Sequence, residues 1–285
     1  MSSNSADILL VTVTEVEGKA VLKVFEEATG KKAIQIIIDS RHYFKLGAIH
    51  GAAVAMTQCE MGAGGLNASL ITVQKAIDAL SPSAVIMVGI AFGMDESKQS
   101  IGDILVAENL RPYELQRVGK KKTISRTDRV PASQSLRDRM KNANLLWEGA
   151  TVRLGTLLTG EKLVDNITFR ERLRRFDPEA IGGEMEGAGL YVACQNQGVD
   201  WILVKAICDW ADGKKGRTKL PASRSLQRTR LRSLRMRFSL LFRGLVQREL
   251  SATRLCQSNL SSSGARRSWP ASLKRSCRNR ALGAS

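Results

Sequence analysis

The sequence predicts one α/β domain with a largely parallel or mixed sheet, followed by a basic tail. Short apolar runs of strand length recur along the chain, and several of them are apolar at every position, which is typical of strands covered on both faces. Helical patterns lie between these runs. With 43% hydrophobic and 25% charged residues, the composition excludes a fibrous or wholly disordered chain.

Seven apolar runs bounded by turn residues have the length of strands. They are Ile8 to Val13, Ile34 to Ile38, Ala52 to Thr57, Ala84 to Val88, Ile104 to Ala107, Val152 to Leu158 and Trp201 to Ile207.

Three helices are predicted between the strands. Leu66, Leu70, Val73, Ile77 and Leu80 recur at spacings of four and three, as on a helix that lies on a sheet. The other two helices are expected at about Lys19 to Ala28, ending at Gly30, and at about Gly187 to Asn196, ending at Gly198.

Charge divides the chain into two parts. The whole sequence has 44 Lys and Arg against 27 Asp and Glu, a net charge of +17. Residues 216–285 hold 17 of the basic residues but a single acid, Glu249, so residues 1–215 are almost neutral. We therefore expect a domain at 7–215 and an Arg/Ser-rich tail of low order at 216–285. Two accounts of the tail stay open: an aberrant, out-of-frame segment, or an arm that binds nucleic acid.

Neither metal chemistry nor a membrane is indicated. Five Cys residues lie far apart without a CxxC pair, and His42 and His50 are the only histidines. The stretch Ala84 to Met94 is too short to span a bilayer, and Asp7 precedes the first apolar run without a basic region. The glycines at 62–65 do not complete the dinucleotide-binding pattern G-x-G-x-x-G/A, because Asn67 stands at its last position. We expect a cytoplasmic protein that uses no metal and no cofactor.

Polar residues that directly follow the predicted strands are the first candidates for a site, because ligands of such folds bind beyond the carboxyl ends of strands. Four segments qualify, and acidic residues dominate them. They are 14–18, 62–65, 89–93, and the pair 182–187 with 208–212.

These segments resemble a known family. The motifs are Glu184-Met185-Glu186, then Cys208-Asp209 with Ala211-Asp212, preceded by an expected glycine turn at 89–93 and by Ile101-Gly102-Asp103-Ile104. They are similar to the nucleoside phosphorylase superfamily, and within it to 5′-methylthioadenosine/S-adenosylhomocysteine nucleosidases. The resemblance implies a three-layer α/β sandwich around a mixed, partly barrel-like sheet. It also implies cleavage of the N-glycosidic bond of a small-molecule nucleoside or nucleotide, by a homo-oligomer such as a dimer.

The resemblance assigns roles to individual residues. Asp209 matches the acid that protonates the leaving purine, and Glu17 matches the glutamate that activates water. Glu186 matches the carboxylate that binds the ribose hydroxyls. The remaining expected substrate contacts are Met185 on the sugar, Leu163 and Val164 at the base edge, and Glu184 and Ile90.

Each carboxylate has an alternative. Asp209 could cap a helix, and Glu186 could face the dipole of the helix that follows it. Glu15 could replace Glu17 as the base, and Glu184 could support the turn.

Some positions depart from the family pattern. Ile90 and Cys208 stand where the nucleosidases commonly have serine, and Leu163 stands where a phenylalanine would stack on the base. Met87 stands where phosphorylases place an arginine for phosphate, so water is favoured as the nucleophile. The expected function is hydrolysis of an adenine-type nucleoside. Phosphorolysis, cleavage of ATP or another nucleotide in signalling or defence, and a non-catalytic role in nucleoside sensing or nucleic-acid binding are the alternatives.

Overall fold

The computed structural model of the chain describes residues 4–120, 123–145 and 147–213. The tail expected at 216–285 lies outside the described residues. Within them, twelve strands and five helices follow one another. The strands are β1 (Ile8–Thr12), β2 (Ile34–Ile38), β3 (Arg41–Ile49), β4 (Ala52–Gln58), β5 (Ala84–Gly93), β6 (Ile104–Pro112), β7 (Gln116–Val118), β8 (Thr123–Ser125), β9 (Val130–Pro131), β10 (Val152–Thr159), β11 (Ala180–Glu184) and β12 (Asp200–Asp209). The helices are α1 (Glu15–Thr29), α2 (Ser69–Leu80), α3 (Gln134–Asn144), α4 (Ile167–Phe176) and α5 (Gly187–Gln197).

The central sheet is mixed and partly closed. Its strand order is β11-β10-β6-β12-β5-β1-β4-β3-β2, with β9 paired to β6 and with β7 and β8 forming a separate hairpin. Strand β11 also pairs with β5, which closes the strands β5, β12, β6, β10 and β11 into a barrel. The expected mixed, partly barrel-like sheet is confirmed.

Strands β4, β1, β5 and β12 are mutually parallel, so their carboxyl ends lie at one edge of the sheet. Strands β1 and β5 occupy the middle of the sheet and are buried at almost every position, as their unbroken apolar runs predict.

Helices α2 and α5 pack against each other beside the sheet. Gly189 of α5 makes this close crossing possible, since a Cβ atom there would lie 2.2 Å from the Ser69 hydroxyl and 2.5 Å from the Leu70 nitrogen. None of the helices in the described segments is both long and apolar enough to cross a membrane.

All seven predicted strands are present, but several boundaries were wrong. Residues 89–93 are part of strand β5 instead of a turn, because β11 and β12 pair with them. Helix α2 begins at Ser69, and Leu66 is 85% exposed in the preceding loop. Helix α1 begins at Glu15, four residues earlier than expected. The sequence patterns did not predict β3, β11, α3, α4 or the short strands β7 to β9.

Candidate active site

A cavity of about 310 Å³ lies where the carboxyl ends of β1, β11 and β12 meet the loop after β10. All eight residues predicted from the sequence line it: Glu17, Ile90, Leu163, Val164, Glu184, Met185, Glu186 and Asp209. Residues as far apart in sequence as Glu17 and Asp209 therefore share one site.

A β-bulge places Asp209 at the cavity. Along β12 the pairing with β5 runs in register up to Ile207 opposite Ala91, and the next pair is Asp209 opposite Phe92. Cys208 is the extra residue between these pairs. Such bulges redirect side chains at the ends of strands, and Asp209 reaches the cavity wall here.

The Asp209 carboxyl group has a hydrogen-bond donor at each oxygen. The Ala211 N–H donates to Oδ1 at 2.9 Å, and the Cys208 thiol donates to Oδ2 at 3.0 Å. The first bond spans two residues and forms an Asx turn, so the side chain holds the turn from Asp209 to Ala211. Residues after Gly213 lie outside the described chain.

A capping box at the start of α1 orients Glu17. Thr14 caps the helix and accepts from the Glu17 N–H at 3.3 Å, while Glu17 Oε2 accepts from Val13 N–H at 2.9 Å and Thr14 N–H at 2.8 Å. The other oxygen, Oε1, faces Gly89. Glu15 instead points to solvent and pairs with Lys19. Of the two candidates for the base, Glu17 alone lines the cavity.

Glu184 and Glu186 converge on Lys205. The Lys205 ammonium lies 2.9 Å from Glu186 Oε2 and 3.4 Å from Glu184 Oε2. Glu186 Oε1 accepts from Gly62 N–H at 3.2 Å, whereas Glu184 accepts from the N–H groups of Glu186 and Gly187. Glu184 thus supports the turn into α5 as well as lining the cavity, and Glu186 bonds to a different loop.

Opposite charges in this cluster shift one another's pKa values. Burial lowers the pKa of the Lys205 ammonium, but Glu186, Glu184 and Glu17 outweigh burial and leave the pKa raised. Burial raises the pKa of the Glu184 carboxyl, and Lys205 opposes this shift. The lysine is therefore charged and holds both carboxylates around it.

The other wall of the cavity is apolar. Val164 is buried there, Met185 is half-buried, and Leu163 and Ile90 are 65% and 43% exposed. The loop that carries Leu163 and Val164 is fixed by Glu161, whose carboxylate accepts from the Ala63 N–H at 3.1 Å. A flat base would fit between such surfaces, with polar groups available on one side.

Sequence reasoning missed Lys205 and the capping box. A lysine inside the apolar run Trp201 to Ile207 signals a buried partner, since an unpaired buried charge is very costly. The pattern Thr14-x-x-Glu17 is a capping-box motif. Among the described residues, no group of three His, Cys, Asp or Glu side chains has the geometry to hold a metal ion.

Comparisons with known proteins show the family of the chain. The family described as the phosphorylase superfamily matches residues 7–238. A death domain-containing ATP nucleosidase of Amphimedon queenslandica is 29% identical over 233 residues, which are 73% of this chain and 44% of the sponge protein. A 5′-methylthioadenosine/S-adenosylhomocysteine nucleosidase of Staphylococcus aureus strain JH9 is 24% identical over 60% of this chain and 75% of its own length.

Among solved structures, the nucleosidase of the same name from Helicobacter pylori, bound to butyl-thio-DADMe-Immucillin-A, has a TM-score of 0.67. It is 21% identical and covers 84% of this chain and 99% of its own, so it shows a shared fold. This chain spans less than half the length of the sponge protein. With the matched region covering most of the chain and the cavity at the expected strand ends, the chain belongs to the phosphorylase superfamily.

Proposed function

We propose that the protein hydrolyses the N-glycosidic bond of an adenine-type nucleoside. The observation that carries the proposal is the set of three carboxylates that reach one cavity from three separate elements. Asp209 comes from the end of β12, Glu17 from the first turn of α1, and Glu186 from the start of α5.

Each of these groups has a role in the proposed reaction. Asp209 donates its proton to purine N7, the C1′–N9 bond breaks, and its electron pair goes to the base. Positive charge develops on the ribose, which Glu186 and Glu17 stabilise. Water then attacks C1′ and gives its proton to Glu17, so the products are the free base and a free sugar.

The charges in the cavity favour water over phosphate as the nucleophile. Four carboxylates line it, against Lys162 and Lys205, and Lys205 is already paired with Glu184 and Glu186. Among the described residues, no arginine lines the cavity, whereas a phosphate nucleophile needs bidentate cations. Phosphorolysis is the less favoured alternative.

ATP is the second candidate substrate. The sponge relative is called an ATP nucleosidase, and Lys162, which lines the cavity, is half exposed and pairs with Glu114 at the surface, so a phosphate chain could compete for it. The same three carboxylates would cleave either substrate, because the bond at C1′ is the same. A non-catalytic sensor would bind the nucleoside without cleaving it.

Chromatography of the products distinguishes these functions. The full chain is incubated with adenosine, 5′-methylthioadenosine or ATP, with and without inorganic phosphate. We expect free adenine and a free sugar from a nucleoside in phosphate-free buffer. Ribose 1-phosphate formed only with phosphate would show phosphorolysis, cleavage of ATP alone would establish the second candidate, and no cleavage would contradict an enzymatic function.

The expected homo-oligomer would cover apolar side chains around the cavity. Val16, Met61 and Leu66 are 67%, 62% and 85% exposed, close in sequence to cavity residues. Sedimentation velocity on the full chain tests this, with a dimer as the expected species.

A further inference from the structure

We propose that Arg170 of helix α4 is a positioning residue for the catalytic acid, acting through the peptide group between Trp210 and Ala211. The inference rests on the proposed function, because it concerns how Asp209 is held for proton transfer. Arg170 does not line the cavity, so its effect must pass through this peptide group.

Arg170 is a buried arginine that reaches the turn after β12. Its side chain is 8% exposed, although it carries a full charge. Nη1 donates to the Trp210 carbonyl oxygen at 2.8 Å and lies 2.9 Å from Glu96 Oε1. Burying a guanidinium is costly unless it is paired. The Glu96 carboxylate and the Trp210 carbonyl supply partners for this one.

The same peptide group also holds Asp209. Its carbonyl oxygen, on Trp210, accepts from Arg170, and its N–H, on Ala211, donates to Asp209 Oδ1 at 2.9 Å. Because a peptide group is planar, fixing the carbonyl direction also fixes the N–H direction. A positive charge at the oxygen polarises the group and strengthens the N–H as a donor.

The turn needs this support. Ala211 is fully buried with a φ of +50°, a left-handed conformation that is unfavourable for any residue other than glycine. A second tie comes from the loop before α4, where Asp165 Oδ1 accepts from Gly213 N–H at 3.0 Å. Helix α4 and its preceding loop therefore hold the turn at both ends.

This arrangement assigns the acid proton to one oxygen. Oδ1 accepts from the Ala211 N–H, whereas Oδ2 contacts the Cys208 thiol, a weak donor whose sulfur can also accept, so we assign the transferred proton to Oδ2. Without Arg170 the peptide group can rotate, Oδ1 loses its fixed donor, and the carboxyl group no longer presents Oδ2 in one orientation.

The test is a double-mutant cycle that measures kcat and KM for Arg170→Met, Asp209→Asn and the double variant. Arg170→Met should lower kcat about 10- to 100-fold with little change in KM, because misplacement of a catalytic group has effects of this size. Arg170→Lys keeps a donor and should recover part of the loss. In the Asp209→Asn background, Arg170→Met should cause no further loss.

Arg174→Met is the matched control, because it removes the same charge from the same helix where Arg174 is 47% exposed and pairs with Asp95. It should leave kcat unchanged. All rates are compared below the melting temperature of the least stable variant, and Arg170→Lys and Arg170→Gln replace Arg170→Met if that variant does not fold.

Independent losses from Arg170→Met and Asp209→Asn would overturn the proposal, as would full kcat in Arg170→Met or an equal loss in Arg174→Met. Full activity of Asp209→Asn would instead contradict the proposed function. Different results would therefore contradict the positioning role of Arg170 and the proposed function.

Discussion

Lys205 is a charged residue inside an otherwise apolar strand, and its partners explain its position. It is 1% exposed, and only the carboxylates around it make its burial tolerable. It holds Glu186 at the cavity while Oε1 of Glu17 stays directed at Gly89. The residue thus connects the proposed ribose contact with the proposed base.

Replacing Lys205 with Met should shift the pH dependence of the reaction. Since Lys205 opposes the raised pKa of Glu184, its loss raises that pKa further, so Glu184 takes up a proton at a higher pH than in the native protein. We expect the acidic limb of kcat/KM to move to higher pH and the value at pH 7 to fall about tenfold or more. Lys205→Arg keeps the charge and should restore the original limb. An unchanged pH profile in Lys205→Met would contradict this role.

At the residue scale, the family motifs predicted the site better than local rules did. Asp209 is the last residue of β12 and Glu186 follows β11, positions at which polar residues are informative, and both line the cavity. Local rules left Glu15 and Glu17 as alternatives. The capping box separates them, because it turns Glu17 back toward the strand end and leaves Glu15 in solvent. The partners of Lys205 could not be predicted, since they come from an element distant in sequence.

Among the elements, α4 and the strands beside it are joined by a buried ion cluster. Asp177 is the C-cap residue of α4 and is fully buried. Its carboxylate pairs with Arg111 of β6 at 2.9 Å and with Arg129 at 2.7 Å. Burial raises the pKa of the Asp177 carboxyl, but the two guanidinium groups outweigh burial and hold the pKa below its ordinary value.

The lowered pKa of Asp177 predicts how the stability of the protein depends on pH. A carboxyl with a depressed pKa in the folded state stabilises the protein above its unfolded pKa, near 4, and that stability is lost as the pH falls through the folded value. Asp177→Asn should lower the free energy of unfolding at pH 7 by roughly 1.5–3 kcal/mol. It should also weaken the decline of stability between about pH 5 and pH 3.

Urea unfolding at several pH values measures both effects. Glu179→Gln is the control, since Glu179 is 73% exposed and pairs with the same Arg129. An Asp177→Asn variant with the stability and acid sensitivity of the control would contradict the assigned role.

Unbroken apolar runs predicted most of the strands, including the largely exposed β2, whereas the mixed strand β3 and the short glycine-containing strand β11 were missed. Strand β3 mixes Arg, His, Lys and Gly with apolar residues, because much of it is exposed near the edge of the sheet. Strand β5 continues through its glycines because two neighbours pair with it there, and tertiary pairing of this kind leaves no local signal. Helix α4 has Phe169, Leu173 and Phe176 at helical spacing, but it is only 10 residues long and carries four arginines, so it does not stand out as an apolar segment.

For the whole molecule, closure of the sheet creates the site. The pairing of β11 with β5 brings the start of α5 beside the end of β12, so that Glu186 and Asp209 line one cavity. The sequence indicated an α/β domain and the resemblance indicated the barrel, since strand closure depends on pairings between distant segments. The excess of positive charge lies in residues 216–285, which are outside the described residues.

The central claim is that this cavity breaks a glycosidic bond with Asp209 as the acid. The most direct measurement compares adenine release in phosphate-free buffer by the native protein and by Asp209→Asn, with a substrate that the native protein cleaves. An amide keeps the shape of the side chain but cannot donate the acid proton, so kcat should fall about 10²- to 10⁴-fold while substrate binding is largely kept. Near-native turnover by Asp209→Asn would mean that the proton comes from another group, and would contradict the account.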